Sequence, residues 1–468
     1  MEKGAQGLNL KREVGIVGAV SFIAGTMMGS GIFISPQYVL ATIGSPGASM
    51  IIWACSGLLA MLGGLCYAEL GTVISESGGE YIYMLRTVGK GVAFMFVFSF
   101  VMVMRPASAT GIALSCAEYV VAVFYDGCTP PQVLVKCVAA VTIIVLAIVN
   151  CLSVRLATAI QVGSMVVKVL ALAVIVLGGV VMLFQGNTQN FDGSFEGTNV
   201  GVNSIGVAFY QCLWSYDGWN TLNYLTEELK HPEVNLPRAV VIAISLVTGL
   251  YLLVNVSYLT VMTPKELMSS SAVAVTWGNK VLGSWGWIMS VAAALSAFGS
   301  LNGTFFSGGR VCFVAAREGH MPDILSMAHV HRLTPSPALI FTTIVSLVVL
   351  IPGDFQSIVN FFSFTAWFFY AITLSGLLYL KIKKPELPRP YSVPIILPIL
   401  VLIAAVFLVL APIIDSPQIE YLYVTLFIFS GILVYIPIIH YKLCPGLLTR
   451  LTVLLQLFLE VAPVEKNL

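Results

Sequence analysis

Two glycine-centred clusters interrupt long apolar stretches of the chain: Gly25-Thr26-Met27-Met28-Gly29-Ser30-Gly31 and Ser215-Tyr216-Asp217-Gly218. Backbone inside hydrocarbon must satisfy its own N–H and C=O groups. An interruption there marks something polar that uses the freed groups. In carriers that user is a substrate or ion held between half-helices near the bilayer midplane. Gly29, Ser30 and Gly31 let the chain leave helical geometry without steric cost. The helix restarting near Ile32 then turns its free N–H groups and positive dipole end toward the gap. That is a backbone anion site suited to an amino-acid α-carboxylate, with the Ser30 hydroxyl as a further donor. Close helix packing through small residues is the simpler alternative. Glycines on both sides of a serine, not along one face, speak against it.

At the second cluster, unwound carbonyls accept from an ammonium group. Trp214 is large, apolar and rigid, suited to cover a substrate as a gate; core or lipid-facing packing competes evenly with that role. Asp217 is an intramembrane carboxylate, which is costly and marks a site. It either pairs with a cation on the substrate or caps the second half-helix, and the cap is slightly favoured. Lys168 lies mid-span and must find carbonyls or a carboxylate. There it stands in for the Na⁺ of a sodium-coupled carrier, bridging the fifth span to the first and eighth. Arg105 precedes Pro106, whose ring frees a carbonyl. Arg105 is expected to bind that backbone or a neighbouring carboxylate rather than substrate. Glu227-Glu228 closes the sixth span and is expected to meet basic residues as a gate or clamp. The five histidines have no acid partner at ligand spacing, and no GxxxxGK[ST] loop is present. Enzymatic chemistry, ATP-driven pumping, a cofactor and a metal site are therefore not expected.

The elements that must position these residues are membrane helices. Hydrophobic residues make up 58% and charged residues 10% of the chain, against about 25% charged in soluble proteins. Mean hydropathy is +0.93. A hydrocarbon core of ~30 Å takes about 20 apolar residues per helix. Twelve spans fit: 14–40, 46–70, 91–124, 131–151, 153–184, 200–227, 237–262, 283–316, 336–352, 354–380, 393–414 and 419–441. The broken spans are the first and sixth. That spacing implies five helices duplicated in inverted orientation, with two more at the end. The expected organisation is an N-terminal segment 1–13, repeats 14–184 and 200–380, two helices over 393–441 and a tail 442–468. Eighteen Lys and Arg fall on the side of the termini and only Lys265 and Lys280 on the other. Both termini are thus expected in the cytoplasm. The first span is too long for a signal's apolar core and lacks a cleavage site, so it is expected to remain as a helix. Net charge is +1 and points to no partner.

Eight of nine cysteines lie in or beside spans. Cys128 alone falls squarely in an outside loop, Tyr125-Asp126-Gly127-Cys128-Thr129-Pro130-Pro131. An unpaired thiol there favours an intermolecular bridge over an idle surface group. Asn255 and Asn302 match glycosylation sequons but lie within spans.

Gly25 to Phe33, Tyr216-Asp217-Gly218-Trp219-Asn220 with Thr226-Glu227-Glu228, and Ala316-Arg317-Glu318-Gly319-His320 resemble the light chains of heteromeric amino-acid transporters. The resemblance runs from about Val14 to the C-terminus. It implies an all-α LeuT fold of the amino acid–polyamine–organocation superfamily, with an inverted 5+5 repeat and helices 1 and 6 discontinuous. It also implies sodium-independent exchange, and Cys128 joined by a disulfide to a single-span glycoprotein heavy chain. The tail Leu455–Pro463 and the Asp217 form of the second break look most like the cystine/dibasic branch that pairs with rBAT. The nearest likeness is to the renal aspartate/glutamate branch. It implies aspartate, glutamate and cystine as substrates, rBAT as partner, and an apical plasma membrane, with neutral and dibasic amino acids plus cystine as the alternative. The family's Val-Pro-Pro-Glu appears here as Val461-Ala462-Pro463-Val464-Glu465.

Residue chemistry alone does not select acidic substrates. Asp217 would repel them unless it faces away from the pocket or Ser215 and Asn302 hold the side chain. A passive channel and a non-transporting sensor or partner subunit are the rival classes. A channel needs a continuous polar lining that the sequence lacks.

Overall fold

Proline and small polar residues set where the apolar runs begin as helices. A computed structural model describes residues 8–9, 12–29, 31–125, 130–270, 272–321, 325, 327–329, 334–351, 355–414, 419–440 and 445–465. Helices α1 (Ile16–Met27) and α2 (Gly31–Ile43) make up the first span and are separate. Helix α3 (Pro46–Val73) starts with proline at its first position, where the missing N–H costs nothing. A short helix between spans, α4 (Glu80–Thr87), precedes α5 (Lys90–Ser99). A π-helical turn, Phe100–Met104, joins α5 to α6 (Arg105–Ala122). Helices α7 (Gln132–Leu152) and α8 (Val154–Phe184) follow, the latter capped by Ser153 Oγ accepting from Leu156 N at 3.2 Å.

The second half begins with α9 (Val202–Ser215), then α10 (Pro232–Val261), the short α11 (Pro264–Ser269) and α12 (Val273–Val281), and α13 (Trp287–Arg317). Helices α14 (Ser336–Leu350), α15 (Phe355–Lys383), α16 (Ile396–Ile414), α17 (Ile419–Val434) and α18 (Pro445–Leu459) complete the chain. Among the described residues, nine helices are long and apolar enough to cross a membrane. The other three expected spans contain shorter helices: α9, cut by the second break; α14; and α17, which passes into a π-helical stretch Tyr435–His440.

Two expectations need correction. The sixth span does not resume as a half-helix after its break; it continues as 3₁₀ turns Thr221–Tyr224 and Thr226–Glu228. Asn and Thr side chains there compete for backbone groups and disfavour an α-helix. Arg310 and Arg317, two of the eighteen charges assigned to the loops on the side of the termini, lie inside α13. A small sheet was not foreseen. Strands β1 (Leu8–Asn9), β2 (Met327–His329) and β3 (Val461–Glu465) lie in the order β1-β3-β2. Leu8 pairs with Val464 in parallel, and His329 with Val461 antiparallel.

Close packing rests on glycine. Gly57, Gly64 and Gly71 recur every seven residues on α3 and face α10, where added Cβ atoms would collide with Thr248, Ile244 and Leu236. With no hydrophobic drive between helices in lipid, such close approach supplies the van der Waals contact that holds them.

Candidate substrate site

The two breaks meet in the middle of the bundle. Gly218 adopts φ +112°, a conformation that favours glycine, and a Cβ there would come within 2.7 Å of Thr26 Cγ2. A Cβ on Gly31 would come within 2.7 Å of Ser215 Cα, and one on Gly29 would strike the Ser300 side chain. Glycine at these positions is what brings α1, α2, α9 and α13 together.

The carbonyls freed by the breaks find partners on neighbouring helices. Ser300 Oγ donates to Thr26 O at 2.9 Å. The Tyr251 hydroxyl on α10 lies within hydrogen-bond reach of Met27 O and, at 2.7 Å, of Ser215 O. One side chain thus ties the ends of both first half-helices. The Tyr119 hydroxyl donates to Phe33 O at 2.6 Å on α2.

Between the breaks lies a cavity lined by Thr26, Met27, Gly29, Gly31, Ile112, Trp214, Asp217 and Ser300. Its volume is about 10 Å³, room for roughly one water. This conformation is closed around the site, and side chains must move to admit an amino acid. Trp214 is 5% exposed and stacks edge-to-face on Phe355 and Phe362, at 5.9 and 5.5 Å between centroids. Its ring also packs on Gly111 of α6.

Asp217 lines the cavity and is half-buried, and the charge of Arg105 faces it. Asn220, not Asp217, stands at the start of the following turn, and the Asp217 carboxylate meets the backbone N–H of Gly218. Arg105 is buried at the start of α6, 4.8 Å from the Phe100 ring centroid and 5.8 Å from that of Tyr224. It faces the charges of Asp217 and Glu80. Among the described residues it makes no hydrogen bond to the backbone freed at Pro106, and its Nε has no hydrogen-bond partner.

Lys168 is fully buried, and its Nζ donates to Gly25 O, where α1 nears its break. A Cβ on Gly299 of α13 would lie 3.0 Å from that Nζ. The ammonium therefore sits where the fifth, first and eighth spans converge. Ser215 lies at the end of α9 facing Gly31, and its Oγ is buried without a partner among the described residues. Asn302 is not part of the cavity. Its Nδ2 donates to Ala157 O at 3.1 Å and Gln161 Oε1 at 3.0 Å, and its Oδ1 accepts from Asn150 at 3.0 Å. Its polar groups are engaged by α7 and α8, so it is not free to hold a substrate side chain. Ser30 and Cys128 fall outside the described residues.

One end of the site is sealed by charge. Arg317 grips Glu227 with two bonds, at 3.0 and 2.7 Å, and Arg310 grips Glu228 at 2.8 and 3.1 Å. The segment before α1 is zipped to the same stretch: Val14 N donates to Glu228 O at 3.1 Å, and Lys230 N to Val14 O at 2.8 Å. Nearby, Asn220 Nδ2 donates to Glu80 Oε1. Burial pushes the Glu80 carboxyl up to about 7.

Sequence reasoning missed Tyr251 and Ser300 as partners of the freed carbonyls. A signal existed for α13, where Ser296, Ser300, Asn302, Gly303, Thr304 and Ser307 make an unusually polar membrane helix. Tyr251 had none, because a tyrosine within an apolar run reads as core.

The description "Amino acid permease" is that of the family model matching residues 14–438. The chain is 49% identical to the b(0,+)-type amino acid transporter 1 of Homo sapiens over 461 residues, covering 98% of this chain and 95% of that protein. Its counterpart from Rattus norvegicus is 50% identical with the same coverage. The large neutral amino acids transporter small subunit 2 of Homo sapiens is 42% identical over 419 residues, covering 88% of this chain and 78% of that protein. A helical bundle with discontinuous helices meeting at its centre agrees with these matches. The chain belongs to the amino acid permease family, among the light chains of heteromeric amino-acid transporters.

Proposed function

We propose that this chain is a sodium-independent exchanger of neutral and dibasic amino acids and cystine. It works in the plasma membrane as the light chain of a disulfide-linked heterodimer. The observation that carries this reading is the cavity between the two breaks, with Asp217 on its wall. The α-carboxylate binds the free N–H groups at the start of α2, around Gly29, Ser30 and Gly31. The ammonium binds carbonyls at the end of α9, near Trp214 and Ser215. Trp214 gates access. Asp217 pairs with a cationic side chain or tolerates a neutral one. Lys168 supplies the charge a sodium ion would otherwise bring between α1, α8 and α13.

Similarity to b(0,+)-type and large neutral amino acids transporters supports this preference. Neither name points to aspartate or glutamate. Arg105 already faces two carboxylates, and Asp217 would repel a third. The aspartate/glutamate preference is therefore set aside.

The termini are assigned to the cytoplasm, and residues 14–184 and 200–380 to the two repeats. Cys128 is assigned to the bridge with a single-span heavy chain of the rBAT type. A non-reducing gel tests the bridge: a Cys128→Ser protein that keeps the high-mass band means another thiol makes it.

Transport is tested with the purified chain in liposomes, loaded or not with amino acid, offered labelled arginine, leucine, cystine and aspartate. The expected result is uptake of the first three, dependent on internal amino acid and unchanged when choline replaces sodium. Uptake without internal amino acid rejects exchange, and a preference for aspartate rejects the assigned specificity. No transport by the single chain or by the heterodimer assigns it to the non-transporting class.

A further inference from the structure

A second cavity, of about 1070 Å³, opens on the flank of the bundle at the sealed end, lined by Arg12, Glu13, Ser153, Arg155, Thr158 and Lys230 among others. Three cations there face one carboxylate. Arg12 Nη1 donates to Thr226 O and Leu229 O, at 3.3 and 2.8 Å, so among the described residues its charge meets neutral acceptors. The side chains of Arg155 and Lys230 make no ion pair or hydrogen bond among the described residues. The cavity also holds the start of α8, a 31-residue helix whose Ser153 cap takes the N–H of Leu156. The first N–H groups of that helix remain free to donate.

The polar end runs into an apolar one. Ala159, Val162 and Gly163 of α8 form the wall, and a Cβ on Gly163 would meet nothing within 4 Å. Farther along the same helix, Val166 and Leu170 are 54% and 62% exposed. At 1.5 Å per residue, Arg155 to Val166 spans about 16 Å, close to one leaflet of a ~30 Å hydrocarbon core. A soluble phosphate ester fits the cations but leaves this apolar track unused.

We propose that this cavity is a binding site for an anionic phospholipid. Its phosphate sits among Arg12, Arg155, Lys230 and the α8 N-terminus, and one acyl chain lies along Val162, Val166 and Leu170. The proposal uses the assigned orientation, which places these residues at the anionic cytoplasmic leaflet, and is independent of substrate preference. A lipid held here joins α8 to the strap formed by Val14 and Glu228–Lys230, so it braces the sealed end of the site.

The test is native mass spectrometry of the full chain with its heavy chain, released from nanodiscs of phosphatidylcholine containing phosphatidylserine. The wild-type protein is expected to retain phosphatidylserine. An Arg155→Gln/Lys230→Gln variant retains about 30-fold less, and Arg155→Lys/Lys230→Arg retains it. Arg238→Gln, an exposed charge change elsewhere at that end, leaves retention unchanged. Equal retention by the Gln double variant, equal loss in Arg238→Gln, or loss in the charge-preserving variant overturns the proposal. So does displacement of the lipid by equimolar glycerophosphate, which would make the ligand a soluble phosphate ester.

Discussion

The two breaks differ in how they are made and in what they leave free. The first is opened by glycine and restarts at once as a regular helix of 13 residues, α2, with its N-terminus at the cavity. The second restarts only as 3₁₀ turns, whose side chains are bound to other helices: Asn220 to Glu80, and Asn223 to Tyr67 O at 2.9 Å and Tyr83 Oη at 2.7 Å. One break offers the backbone donors of a helix start. The other offers carbonyls and a carboxylate on a rigidly held turn. The difference supports a division of labour in the proposed site, in which the first break grips the α-carboxylate and the second, besides taking the ammonium, reads the side chain through Asp217.

The largest expected effect breaks the anchor of the second region. Glu228→Gln leaves Arg310, fully buried, without its ion partner, a loss of about 3–5 kcal/mol. A fall in thermal midpoint and in folded yield is expected, with no matching fall for a Glu→Gln change at the exposed Glu233. Next is the first break. Gly29→Leu drives a side chain into Ser300 and is expected to cut uptake of every substrate by about 100-fold, at wild-type expression. Near-normal uptake by folded protein would remove the first break from the site.

Asp217→Asn sharpens the comparison further. Arginine affinity is expected to fall about tenfold while leucine affinity changes little, read from competition curves. An equal fall for both would mean that the second break does not read the side chain.

The smallest effect concerns pH. The Glu80 carboxyl has its value raised by burial from the ordinary 4.5 to about 7. The folded protein therefore holds this proton when the unfolded chain has released it. The stabilisation is complete below the ordinary value and is lost as pH rises through about 7. The wild-type thermal midpoint should decline between about pH 5 and 8, and Glu80→Gln should flatten that slope.

Legibility in the sequence followed how much a residue stands out from its surroundings. Glycines around a serine, a lone lysine and an aspartate in apolar spans announce themselves, and the cavity lies between Gly29, Gly31, Trp214 and Asp217. Hydropathy gives a span but not its inward face. Asn302 therefore read as a site residue, although it belongs to the Asn150–Gln161 network, and Arg310 read as a loop charge although it lies buried in α13. The turn geometry after Asp217 was hidden because capping side chains at Asn220 and Thr221 look the same before a helix or a 3₁₀ turn. Pairing of β3 with β1 and β2 joins segments more than a hundred residues apart, and two-to-five-residue strands leave no periodicity to read.

The central claim is that freed backbone groups of the first break grip the α-carboxylate. Competition of agmatine, which is arginine without that carboxylate, against labelled arginine tests it most directly. The account predicts that agmatine fails to compete at concentrations where arginine and leucine do. Competition by agmatine equal to that of arginine would contradict it.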